Sequence, residues 1–114
     1  MSVDAVMAGI AVADFDEAVA WYERLLGRRA DDLPMDGLAE WHFPDTGVIQ
    51  VIQDADRAGS GLLTISVDDL EAHVARLEER GLTPSAIDDK TSDKALIATI
   101  ADAEGNTITL VEQR

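Results

Sequence analysis

Two side chains in this 114-residue sequence can change charge near neutral pH, His42 and His73. His42 lies between Trp41 and Phe43, two residues after Glu40, and His73 lies between the apolar positions Leu70 and Val74. They stand on separate segments, and neither belongs to a His-x-x-x-His or His-x-Glu pattern, so their spacing prescribes no metal centre. Cysteine is absent, which excludes thiol nucleophiles, thiolate ligands and disulfides. Ser60 and Ser66 have no His/Asp partner at a readable spacing, and neither a Gly-x-Ser-x-Gly elbow nor a Gly-rich phosphate loop occurs. No catalytic residue is therefore assigned. His42 is the one side chain whose setting suits contact with a ligand or movement of a proton, while His73 is expected on a helix surface. On an alternating strand Trp41 and Phe43 share one face, and Glu40 and His42 share the other. A register shifted by one residue would bring Trp41 to the site instead.

The surroundings of these residues are acidic: 23 Asp and Glu against 9 Lys and Arg, a net charge of −14. Such a surface repels phosphate backbones and anionic headgroups, so the expected partner is neither nucleic acid nor membrane. It attracts a small cationic molecule. Hydrophobic residues make up 46% and charged residues 28%, the mixture of a globular chain. No apolar run approaches the roughly 20 residues of a membrane span. Residues 1–5 lack a basic region followed by an apolar stretch, which predicts no signal peptide. With no cysteine, a cytoplasmic location is expected.

The elements that must position Glu40 and His42 emerge from an internal repeat. Residues 7–18 resemble residues 62–72, with Ile10 matching Ile65, Val12 matching Val67 and Asp14 matching Asp69. Residues 45–52 are echoed by residues 104–111. Each copy opens with a Val/Ile/Leu-rich strand, over residues 5–12 and 62–67. A helix follows each. Asp14 and Glu17 form a capping-box pattern ahead of the stripe Phe15, Ala18, Val19, Tyr22 and Leu26, and Gly27 ends that helix. Asp68 or Asp69 caps the second helix, Leu70, Val74 and Leu77 form its stripe, and Gly81 ends it. Three extended segments follow in each copy, at 28–33, 37–43 and 47–53 and at 82–88, 94–101 and 106–112. The predicted fold is α+β: one domain over residues 1–114, made of two tandem βαβββ modules with a curved mixed sheet and helices on its outer face. Module one covers residues 1–53, a polar linker residues 54–60 and module two residues 61–114.

Parity then separates the two faces of the sheet. Ile10, Val12, Ile65 and Val67 are the bulky set expected under the helices, with Ile49, Val51, Ile108 and Leu110. The opposite face carries Met7, Gly9 and Ala11, Leu62, Thr64 and Ser66, and Gln50 and Thr109 on the closing strands. These side chains are mostly small or mildly polar. They leave a concavity whose predicted lining is Met7, Gly9, Glu40, His42, Gln50, Leu62, Thr64 and Thr109, a place for a small-molecule ligand.

The doubled strand-helix-strand-strand-strand plan resembles the vicinal oxygen chelate superfamily. So do Asp-Phe-Asp-Glu-Ala, Trp-Tyr and Leu-Leu-Gly in the first copy, and Val-Asp-Asp-Leu-Glu-Ala and Asp-Ala-Glu-Gly-Asn in the second. That superfamily includes glyoxalase I, extradiol dioxygenases, fosfomycin-modifying enzymes and bleomycin-binding resistance proteins. The resemblance covers nearly the whole chain and implies a homodimer whose open faces enclose the sites. It also implies a divalent metal held by His, Gln or Glu on the opening and closing strands of each module. Carried across, those places fall on Met7, Gln50, Leu62 and Thr109. Only Gln50 offers a fitting donor, since thioether, methyl and hydroxyl groups do not hold a hard divalent ion. A one-residue shift, to Val6, Ala8, Gly61 or Leu63, restores nothing. The expectation is a protein with neither metal nor cofactor that binds a small cationic or aromatic molecule. An enzyme of the same superfamily is the alternative, as a lyase, isomerase or dioxygenase-like protein with or without metal.

Overall fold

The computed structural model describes residues 2–114. The chain runs β1 (Met7–Val12), α1 (Phe15–Leu26), β2 (Asp32–Met35), β3 (Leu38–Phe43) and β4 (Gly47–Gln53). A short 3-10 turn (Ala55–Arg57) then leads into β5 (Leu62–Ser66), α2 (Leu70–Glu79), β6 (Ala95–Ala101) and β7 (Thr107–Gln113). The strands form two mixed sheets, ordered β1-β4-β3-β2 and β5-β7-β6. In each, the opening strand pairs parallel with the closing strand, and the hairpin partners pair antiparallel. The helices cover the other face of the sheets, so the expected α+β architecture is present.

Both helices begin as their sequences dictate. Asp14 caps α1 by accepting from the Glu17 amide at 3.2 Å, and Asp69, rather than Asp68, caps α2 by accepting from the Ala72 amide at 3.1 Å. Gly27 closes α1 in the left-handed conformation, φ 76°, which a side chain would resist. The buried stripe of α1 is Ala18, Trp21, Tyr22 and Leu25, rotated one residue from the expected set. Phe15, Val19 and Leu26 are only partly buried. On the buried side Tyr22 donates its hydroxyl to Asp102 of module two, a contact that one module's periodicity cannot reveal.

The second module departs from the repeat at residues 82–88. Here no full strand forms, and only an isolated bridge joins Asp88 to Ile97. Pro84 has no amide hydrogen to give a ladder. Ser85 donates its amide to the Thr99 carbonyl at 2.8 Å, but the Thr99 amide finds the Ser85 hydroxyl at 2.9 Å instead of a carbonyl. In the first module the expected segment 28–33 pairs later, as β2, with an irregular register between Asp32 and Met35.

The core follows the predicted parity. Ile10, Val12, Val51, Ile108 and Leu110 are 0–1% exposed and Ile49 is buried, whereas Ile65 and Val67 are only partly buried. Trp41 is completely buried, and its indole N–H donates to the Arg28 carbonyl at 3.0 Å. Its position settles the register, turning Glu40 and His42 toward the open face. One apolar cluster spans both modules. No helix is long and apolar enough to cross a membrane among the described residues.

Candidate functional site

Strand pairing assembles a polar row from residues far apart in sequence. Gly9 lies beside Gln50, Gln50 beside Glu40, and Glu40 beside Asp32, across all four strands of the first sheet. The Gln50 side-chain amide donates to Glu40 Oε2 at 2.7 Å, and His42 Nε2 lies 3.0 Å from Glu40 Oε1. Facing an ionised carboxylate, that ring nitrogen serves as the donor. Both oxygens of Glu40 are thus engaged. The Gln50 hydrogen bond, and after it the His42 hydrogen bond, hold the Glu40 carboxyl below its ordinary pKa. Glu40 is 12% exposed along its side chain and His42 is 48% exposed, so the carboxylate is sheltered and the imidazole is its outer neighbour.

Space adjoins this group. At Gly9 the Ile52 and Gln50 side chains close over the backbone, and a Cβ would stand 3.1 Å from Ile52 Cδ1 and 3.9 Å from Gln50 Oε1. A hollow of about 490 Å³ opens beside His42, bounded by Asp4, Phe43, Asp45 and Val48. Met7 is also on this face, 54% exposed. Such a surface can hold the flat apolar part of a small molecule while Glu40, His42 and Gln50 engage its polar part.

The equivalent row of the second sheet reads Thr64, Thr109 and Thr99, with Leu62 83% exposed beside it. Met7, Gly9, Glu40, His42 and Gln50 therefore share one open face, and Leu62, Thr64 and Thr109 share another on the other sheet. Three of the predicted residues, Glu40, His42 and Gln50, are joined by hydrogen bonds.

The donor set does not fit the divalent ion that the superfamily resemblance implies. Register places Gly9 beside Gln50 and Thr64 beside Thr109, and neither neighbour supplies a carboxylate or imidazole. The Gln50 amide turns its N–H toward Glu40, and no three His, Cys, Asp or Glu residues converge among the described residues.

Two features went unread in the sequence. A buried polar knot joins the modules: Asp102 accepts from the Tyr22 hydroxyl at 2.8 Å and from the Asn106 side chain at 2.8 Å. Asn106 also donates to the Ala11 carbonyl at 3.1 Å and accepts from the Gly61 amide at 2.7 Å. Burial, then the bond to Asp102, push the Tyr22 hydroxyl well above its ordinary pKa, so it stays a neutral donor. The buried stripe position of Tyr22 was the one available signal. A second cavity, about 490 Å³ and mainly apolar, lies between Leu25 and Ile49 of module one and Leu63, Ile65 and His73 of module two. His73 is half-buried rather than a surface residue, and burial, followed by Arg76 and Arg80, lowers its pKa.

Comparison with known proteins bears on this geometry. The family model described as a glyoxalase-like domain matches residues 6–111. A glyoxalase / bleomycin resistance protein from Catenulispora acidiphila DSM 44928 superposes with TM-score 0.87 at 29% identity, over 95% of this chain and 96% of that one. TnmS3, an antibiotic-binding protein from Streptomyces sp. CB03234, gives 0.80 at 23% identity, over 100% and 99%. A bleomycin-binding protein complexed with bleomycin gives 0.78 at 18% identity, over 98% and 100%; at these last two identities the likeness is one of fold. No protein of curated function matches significantly.

Proposed function

Because this chain belongs to the glyoxalase-like domain family, we propose that it is a metal-free small-molecule-binding protein of the glyoxalase/bleomycin-resistance type, sequestering a cationic or aromatic compound. The observation that carries this reading is the open face of the first sheet, where Glu40 is fixed by Gln50 and His42. Structural neighbours described as binding bleomycin or an antibiotic support a binding role on this fold. The absence of fitting ligand residues at the superfamily's metal places supports binding without an ion. The net charge of −14 supports a cationic ligand.

The protein acts as a homodimer in the cytoplasm in this reading. Exposed Met7 and Leu62 on the two open faces, and Leu33 and Met35 on β2, support burial against a second copy. The test is a thermal-shift screen of dialysed, metal-analysed protein against cationic and aromatic antibiotics, with molar mass by light scattering. A stabilising compound with no bound divalent ion, and a mass twice 12.3 kDa, are expected. One equivalent of divalent metal surviving dialysis, or no compound raising the melting temperature, would count against the reading.

A further inference from the structure

We infer that the apolar cavity between the two modules is a second binding site, for an uncharged, largely apolar small molecule whose one hydrogen-bonding group meets His73. Glu40, His42 and Gln50 take no part in its wall, so this site stands independently of the reading proposed above.

The internal repeat shows where packing is incomplete. Ile65 and Val67 hold the positions that Ile10 and Val12 hold in module one, where those two are 1% and 0% exposed. Ile65 and Val67 are only partly buried, and both line the cavity together with Leu63 of the same strand. Ala8 and Ile49 of the first sheet and Leu25 and Leu26 of α1 form the module-one side. The space is about 490 Å³, within the roughly 300–1,000 Å³ of small-molecule sites. An apolar guest would remove the remaining surface of these side chains from water.

Charge and shape choose the guest. No Asp, Glu, Lys or Arg lines this cavity, in a chain where 28% of residues are charged. By contrast, the hollow beside His42 carries Asp4 and Asp45, and the one at the start of α2 carries Asp68, Asp69 and Glu112. A charged guest here would lose water without meeting a counter-ion, so a neutral one is favoured. The His73 ring reaches the wall without a hydrogen bond to any described residue, which leaves a donor and an acceptor nitrogen for the guest. A second copy of the chain fits other surfaces. Of the exposed apolar side chains Val3, Val6, Met7, Leu33, Met35 and Leu62, only Val6 borders the cavity.

The test uses the whole protein with labelled Ile, Leu and Val methyl groups at about pH 7.5, where His73 is neutral. Three probes share one ring system: 1-naphthol, 1-methylnaphthalene and 1-naphthylmethylammonium. Naphthol should give saturable NMR shifts at the Leu25, Ile49, Leu63 and Ile65 methyls. It should bind there roughly tenfold more tightly than the ammonium, although the net charge of −14 favours a cation. Ala8→Phe, at a half-buried position, places a ring in the cavity and should abolish these shifts. Ser66→Phe, at the exposed rim, makes the same test if that variant does not fold. His73→Phe keeps the wall apolar and removes the hydrogen bond, so naphthol should weaken roughly two- to tenfold while methylnaphthalene is unchanged. Equal or tighter binding of the ammonium at these methyls would overturn the inference, as would equal losses for both neutral probes in His73→Phe. Intermolecular NOEs to these methyls in a mixed-label sample without probe would assign the cavity to a second copy and overturn it as well. Naphthol shifts confined to the Glu40 and Gln50 amides, or none at all, would also overturn it, and the former would sustain a binding role for the open face.

Discussion

Glu40 and Tyr22 show how single side chains set the character of this molecule. Glu40 is ionised more easily than an ordinary glutamate because the Gln50 amide and then the His42 ring bond its charged form. A depressed carboxyl pKa adds stability that is complete above the unfolded value of 4.5 and is lost as pH falls through the lower folded value. Gln50→Leu should move the Glu40 titration, followed by carboxyl-carbon NMR, back upward toward 4.5. It should also shrink the loss of stability in acid. Tyr22 acts in the opposite environment, completely buried, where its hydroxyl supplies one of the donors that Asp102 needs. Tyr22→Phe keeps the ring packing and removes that donor. It should cost about 1–3 kcal/mol in urea unfolding, the worth of a hydrogen bond to a charged group.

At the scale of elements, α1 is held from outside its own module. Glu104, in the turn before β7, accepts from the Ala13 amide at 2.6 Å and the Asp14 amide at 3.0 Å, and Arg80 donates to the Arg24 carbonyl at the other end. Glu104→Ala removes two bonds from the helix entry and should destabilise the fold by about 1 kcal/mol, seen as a lower urea midpoint with an unchanged slope. Helix α2 brings His73 to the cavity wall between the modules, where burial disfavours its charged form. Its folded pKa lies below the unfolded 6.5, so the folded state takes up its proton less readily. The neutral ring's contribution is complete above pH 6.5 and is lost as pH drops below that value toward the folded pKa. His73→Leu should flatten this part of the stability profile, measured by thermal melts between pH 5 and 7.

For the whole molecule, the dominant long-range force is self-repulsion. A net charge of −14 on 114 residues, with only two Arg–Asp ion pairs among the described residues, works against the compact state. Added salt screens charges beyond about 10 Å at 0.1 M, so the melting temperature should rise between 0.02 and 0.3 M sodium chloride. Binding of a cation should raise it more at low salt than at high salt. The two modules resist separation because the Tyr22, Asp102 and Asn106 knot and a single apolar cluster cross the join.

Sequence alone determined what depends on neighbours within a few residues. The caps at Asp14 and Asp69, the stop at Gly27 and the inward parity of Ile10, Val12, Val51 and Leu110 follow from local geometry repeated along the chain. The pairing of Trp41 with Phe43 on one face already set Glu40 and His42 apart, yet only the complete burial of Trp41 decided which face was which. Contacts between distant segments were not legible. The Gln50 bond to Glu40 depends on cross-strand register, and the Asp102 knot on a contact spanning 80 residues. Periodicity records which side of an element is apolar, but the partner that meets that side is fixed only when the chain closes on itself.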